Sequence, residues 1–188
     1  MSRMLIRGAL IVGAIAVAAC GRSDIDDSGS AQPAEASLAS VLDRNPGHAR
    51  LEAMIESTGL TEALAATGPY TLFAPPDDAL ATAGGDADMT DDALKAQAAQ
   101  LLRAHIVPGA LTRADIAAAV DRAGGEGAKM RTMADAVLTF TRDGERLVVR
   151  GPDGPAVALS GDEALARNGV IQPVSGLLLA PSTAPGAG

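Results

Sequence analysis

The side chains able to do chemistry are few and scattered. One cysteine, Cys20, and two histidines, His48 and His105, are all the thiol and imidazole in 188 residues. A single cysteine can close no disulfide and build no thiolate metal cluster within the chain. His48 sits in a polar Gly-His-Ala stretch and reads as solvent-facing. His105 continues the apolar stripe of Leu94, Ala98 and Leu101, so it reads as a core-facing histidine with a hydrogen-bonded ring. No Gly-x-Ser-x-Gly elbow accompanies either one, nothing positions a nucleophile, and no catalytic residue is assigned. Asp86, Asp88, Asp91 and Asp92 cluster as hard-cation ligands would. Counted from Asp86, however, they lack the glycine at the sixth and the glutamate at the twelfth position of an EF-hand loop, and they read as a solvated acidic loop beside a helix N-terminus. Gly124-Gly125-Glu126-Gly127 before Lys129 lacks the strand-loop-helix context of a phosphate loop and reads as a mobile turn. We expect no metal and no cofactor.

Cys20 is informative through its position. Arg3 and Arg7 form a basic start, Gly8 to Val17 is an unbroken run of small and apolar residues, and Val17-Ala18-Ala19 leads into the cysteine. The run is far short of the roughly 20 residues that span a bilayer. Its order matches a secretory signal, and Val17-Ala18-Ala19-Cys20 looks like a bacterial lipobox, with cleavage between Ala19 and Cys20 and acylation of Cys20. Residues 1–19 are then the signal peptide. Their removal takes two arginines from a chain whose formal net charge is already −8. Anionic headgroups repel such a surface, so attachment to the membrane falls to the lipid anchor. In a Gram-negative host, Gly21 after the cysteine points to the outer membrane of the cell envelope.

Composition narrows the functional classes further. The negative charge disfavours nucleic acid as a partner. Aromatics make up only 2% of the chain, against 47% hydrophobic residues, so a stacking platform for bases or sugars is not available. Residues 20–37, mostly GRSDIDDSGSAQPAEA, have little to bury and read as a flexible tether, and residues 182–188 as a loose tail. One domain remains, at 38–181.

The elements that must position these groups change character along that domain. Its first half is helical by pattern. Leu51, Met54 and Ile55 share a helix face that ends at Thr58-Gly59, and a short helix at Thr61 to Ala66 follows. After the brief strand Tyr70 to Phe73, Pro75-Pro76-Asp77-Asp78 starts a helical turn through Leu80. The longest helix is expected to start at an N-cap on Thr90 and to run through His105, and Pro108-Gly109 stops it. An amphipathic stretch, Thr112 to Val120, closes this half. The second half has strand character: Val137 to Thr141 and Arg146 to Arg150 flank Asp143-Gly144, a type I′ hairpin signal, and Ala156 to Leu159, Gly169 to Ile171 and Leu177 to Leu179 supply more. Helices first and strands afterwards argue for an α+β fold.

Three segments resemble the fasciclin (FAS1) domain family. Tyr70 to Leu80, YTLFAPPDDAL, is similar to its first signature through Thr71, Phe73, Ala74, Pro75 and Asp78. Leu101 to Ile116, LLRAHIVPGALTRADI, resembles the central segment through His105, Pro108 and Gly109. Asn168-Gly169-Val170-Ile171 followed by Leu177-Leu178-Leu179 resembles the terminal signature. The resemblance implies a wedge of two β-sheets covered by several helices. It also implies a non-enzymatic adhesion or interaction module, binding a protein or polysaccharide partner at the cell envelope. Some family members bind carotenoids, so the alternative it implies is a carrier of a small apolar ligand. Two departures matter. Ala104 stands where the family has a tyrosine linked with adhesion in some animal members. Gln172-Pro173 replaces His-Val, and the proline predicts an edge or bulge position.

Overall fold

The computed structural model describes residues 35–65, 68–84 and 88–179. The expectations on Cys20, the signal, residues 20–34 of the tether, Asp86 and the tail at 182–188 lie outside these residues. Ala36 and Ser37 bond into the fold: the Ala36 carbonyl accepts from Arg167 N–H (3.0 Å), and Ser37 Oγ accepts from Ser40 N–H (3.4 Å).

Ser37 caps helix α1, Leu38–Leu42. Helices α2 (Ala49–Ser57) and α3 (Thr61–Ala65) follow, then strand β1 (Tyr70–Ala74) and helix α4 (Asp77–Gly84). Helix α5 (Lys95–Ala104) leads into β2 (Ile106–Pro108), and α6 (Arg113–Ala123) carries a capping box in which Thr112 and Asp115 satisfy each other's backbone. Six strands follow among the described residues: β3 (Ala128–Arg131), β4 (Val137–Asp143), β5 (Arg146–Arg150), β6 (Ala156–Ala158), β7 (Ala164–Ala166) and β8 (Gly169–Pro173).

The strands form two four-stranded sheets, ordered β2-β1-β8-β7 and β3-β4-β5-β6. At the centre of the first sheet β1 and β8 run parallel, Tyr70 opposite Gly169 through Ala74 opposite Pro173; every other pairing is antiparallel. The alternation of a strand then divides the core. Leu72 and Ile106 face the helices, with Leu38, Leu51, Met54, Leu64, Leu102 and Ile171. Their neighbours Phe73 and Val107 face the second sheet, with Ile116, Leu138, Phe140, Val149 and Leu178. The first sheet is therefore buried on both faces, which is why β1 reads as a continuous apolar run. Phe73 and Phe140 meet across the two sheets with ring centroids 5.4 Å apart and planes tilted by 41°, an arrangement that adds about 1 kcal/mol beyond burial.

The fold class is the expected α+β, and several local expectations are corrected. The long helix does not start at a Thr90 cap. Asp88 Oδ1 accepts from both Thr90 N–H (3.0 Å) and Thr90 Oγ1–H (2.8 Å), and a 3₁₀ turn at Asp92–Leu94 intervenes before Lys95. The same helix ends at Ala104, because the β-branched pair Ile106-Val107 joins the sheet instead. At the hairpin Asp143 pairs with Arg146, and Gly144 alone has positive φ (+61°). That is the pattern of a type II′ turn with glycine first, not of type I′. Leu177 to Leu179 form no strand. Pro173 lies neither on an edge strand nor at a bulge. It ends the inner strand β8, beyond the last β7 partner, where Ile171 faces Ala164, so no ladder bond to β7 is lost. Gly124–Glu126 is a 3₁₀ turn.

Candidate functional site

The residues marked by sequence form a backbone-organising framework rather than one pocket. Thr71, fully buried on β1, donates its hydroxyl to the Gly109 carbonyl (2.7 Å) and accepts from Leu111 N–H (2.9 Å), which fixes the exit from β2. Gly109 N–H donates to the Pro69 carbonyl (2.8 Å), while Pro108 is exposed opposite Tyr70. Phe73, Ala74 and Pro75 are buried. Asp78 is exposed at the start of α4 and accepts from Ala79 N–H (2.9 Å), and its neighbour Asp77 accepts from Arg50 N–H (2.8 Å), tying α4 to α2.

The Asn-Gly-Val-Ile run does a comparable job at the other end of the chain. Asn168 Oδ1 accepts from Leu38 N–H at the start of α1 (2.9 Å), and its Nδ2 donates to the Leu64 carbonyl in the last turn of α3 (2.5 Å). One buried amide therefore satisfies two helix termini. At Gly169 a Cβ would come within 1.9 Å of the Tyr70 carbonyl oxygen, so only glycine permits the close approach of β8 to β1. Val170 and Ile171 are buried on either face of β8.

His105 is 1% exposed and follows the last turn of α5. Its Nδ1 lies 2.8 Å from the Leu101 carbonyl, and Leu178 N–H donates to its Nε2 at 3.1 Å. These partners assign the proton to Nδ1. Burial pushes its pKa down from 6.5 to about 4, and the bond to the Leu101 carbonyl opposes that only in part. At neutral pH the ring is uncharged and both nitrogens are engaged, so it serves as a structural staple and not as a proton shuttle. His48, expected to face solvent, is buried instead. A 3₁₀ turn at Pro46–His48, capped by Asn45, turns its ring inward, and its Nδ1 has no hydrogen-bond partner.

A polar centre that sequence reasoning missed lies where β8 meets the start of α6. Gln172 is fully buried; its Oε1 accepts from Arg113 Nε (3.1 Å) and Nη2 (3.0 Å), and its Nε2 donates to Glu163 Oε2 (2.6 Å) and the Leu111 carbonyl (3.0 Å). Glu163 Oε2 also accepts from Arg113 N–H (2.6 Å), and the guanidinium reaches the carbonyls of Gly161 (3.1 Å) and Ser160 (3.3 Å). The available signal was a lone amide in an otherwise apolar strand. These bonds make the network a clamp between α6, β8 and the β6–β7 connection.

Two shallow depressions of the described surface lie on the second sheet and beside it. One, of about 310 Å³, lies over β4, β5 and β6 and includes Thr139, Thr141, Asp143, Val148 and Arg150 in its lining. The other, of about 360 Å³, is lined by Val120, Asp121, Gly124, Gly125, Thr141 and Arg142. Hydroxyls and charges contribute to both. Among the described residues no three histidines, cysteines or carboxylates are grouped to hold a metal ion, and no helix is long and apolar enough to cross a membrane.

Two four-stranded sheets with covering helices, the first built around a central parallel strand pair, define the class of fold. Comparison with known proteins then identifies it. The Fasciclin domain family profile matches residues 46–180, and the chain belongs to that family. Protein sll1483 of Synechocystis sp. is 31% identical over 147 residues, covering 77% of this chain and 73% of that protein. Human stabilin-1 is 30% identical over 160 residues, covering 84% of this chain and 6% of its own length. A solved FAS1 domain pair from the insect cell adhesion molecule fasciclin I shares the fold with a TM-score of 0.57 at 19% identity, over 72% of this chain and 46% of that one. The chain thus spans a small part of stabilin-1 and under half of the solved pair. Fasciclin domains are in general non-enzymatic, adhesion-type modules.

Proposed function

We propose that this protein is a lipid-tethered, non-enzymatic adhesion module of the bacterial cell envelope, holding a protein or polysaccharide partner. The observation that carries the reading is a complete fasciclin architecture in which the one histidine of the family motifs, His105, is sealed by two backbone bonds. Its chemistry is spent on rigidity, which leaves the surface to recognise partners. The solved relative comes from a cell adhesion molecule, in keeping with that role. Cys20, acylated at the outer membrane after cleavage behind Ala19, holds the domain at the envelope, and the polar residues that follow give it reach.

Cross-linking in intact cells followed by mass spectrometry tests the interaction. The expected result is a reproducible envelope partner, and a protein recovered alone, with no surface phenotype on deletion, overturns the reading. Palmitate labelling tests the anchor. Wild type is expected to take the label and Cys20→Ala to lose it and become soluble; equal labelling of both refutes acylation at Cys20.

A further inference from the structure

Strand alternation gives the second sheet two unlike faces. Leu138, Phe140, Leu147, Val149 and Val157 point into the core. The opposite face carries Lys129 and Arg131 from β3, Val137, Thr139, Thr141 and Asp143 from β4, and Arg146, Val148 and Arg150 from β5. All four cations are exposed, and Asp143 is the only carboxylate among the residues of these strands on that face. Among the described residues Lys129, Arg146 and Arg150 form no ion pair, although Asp143 stands opposite Arg146 in register, and Arg131 has the exposed Asp135 at 3.5 Å. On a chain of net charge −8 this is a local reversal of sign. The depression of about 310 Å³ runs through it between Thr139, Thr141 and Arg150. Among the described residues no helix packs on this face, because the apolar residues of α6, Ile116 and Val120, join the core on the other.

We propose that the outer face of the second sheet binds an anionic polysaccharide, and the inference rests on the adhesion reading above while naming its surface and partner chemistry. Lys129 and Arg150 share one cross-strand row two strands apart, roughly 10 Å, with Thr139 between them. Arg131 lies about 7 Å further along β3, and Arg146 about 13 Å along β5 in the opposite sense. The cations therefore form a diagonal track that a chain of acidic sugars can follow, guanidinium and ammonium groups on its carboxylates and threonine hydroxyls on its hydroxyls. A peptide adding as a strand would pair with the edge strand β3 and would not lie across Arg146 and Arg150, because β5 is paired on both sides. The sheet face carries no aromatic ring on which bases or neutral sugars would stack.

The test uses the full chain in neutral detergent and alginate as the probe, with neutral dextran beside it. The expected result is binding to alginate at low ionic strength, loss at high salt, and no binding to dextran. Lys129→Glu with Arg150→Glu should weaken binding at least about tenfold. Arg44→Glu with Arg103→Glu, an equal charge change on the helical half, should shift it less than about twofold. The matching glutamine pair, Lys129→Gln with Arg150→Gln, replaces the first variant if its circular dichroism departs from wild type. No alginate binding at low salt, equal losses in both double variants, or equally tight binding of poly-glutamate each overturn the proposal. If cross-linking still captures an envelope partner in cells while alginate fails, the adhesion module stands and this assignment of its face falls.

Discussion

Lowering the pH should destabilise the fold through His105 before most carboxylates respond. Unfolded, the imidazole takes up a proton below its ordinary 6.5; folded, it stays neutral down to about 4. Between those values the unfolded chain binds more protons, so stability falls as pH drops through this window and is fully present above about 6.5. The gap corresponds to about 3 kcal/mol, a large part of the stability of a domain this size. Protonation would also set a charge on Nε2 against the Leu178 N–H that now donates to it. Urea unfolding followed between about pH 7.5 and about pH 4.5 should show wild type losing stability with a slope approaching about 1.4 kcal/mol per pH unit. His105→Gln keeps a donor and an acceptor but has nothing to titrate. It should start about 1–3 kcal/mol less stable and show a flatter curve. Asp88 and Asp115, whose carboxyls are held low mainly by hydrogen bonds from Thr90 and Thr112, are common to both proteins and cancel in the difference. Superimposable pH curves, or an NMR titration of His105 near 6.5, would refute the reasoning.

Two further substitutions probe the framework. Gly169→Ala should cost more than about 3 kcal/mol or abolish soluble expression, because its Cβ would meet the Tyr70 carbonyl and part the central strand pair; a melting temperature near wild type would contradict the close approach. Gln172→Leu takes away the oxygen to which Arg113 donates two bonds and leaves Glu163 with one fewer donor, so urea unfolding should show a loss of about 2–4 kcal/mol, and a neutral result would mean that the clamp is dispensable.

What could be read in advance follows a physical line. Strong local patterns were legible: the face of Leu51, Met54 and Ile55 in α2, and the paired strands around Gly144. The family motifs were legible too, since each fixes a backbone contact that other residues cannot replace, as Asn168 does for two helix ends. The strands β3 and β7, AKMR and ALA, were not, because their residues have no strand preference and owe their conformation to β4 and β8 beside them. His48 and Leu177 to Leu179 were misread for the same reason: burial and pairing depend on what the rest of the chain brings up.

The sequence by itself determined the α+β class, the family and the inward place of His105, because periodicity, turn chemistry and motif order are properties of neighbouring residues. The tertiary structure alone decided that Gln172 would join Arg113 to Glu163 across 59 positions of chain, and that Lys129 and Arg150 would stand in one row on an acidic protein. Both are long-range juxtapositions: the first comes from packing α6 and the β6–β7 connection against β8, and the second is set by sheet register, which exists only once the strands have paired.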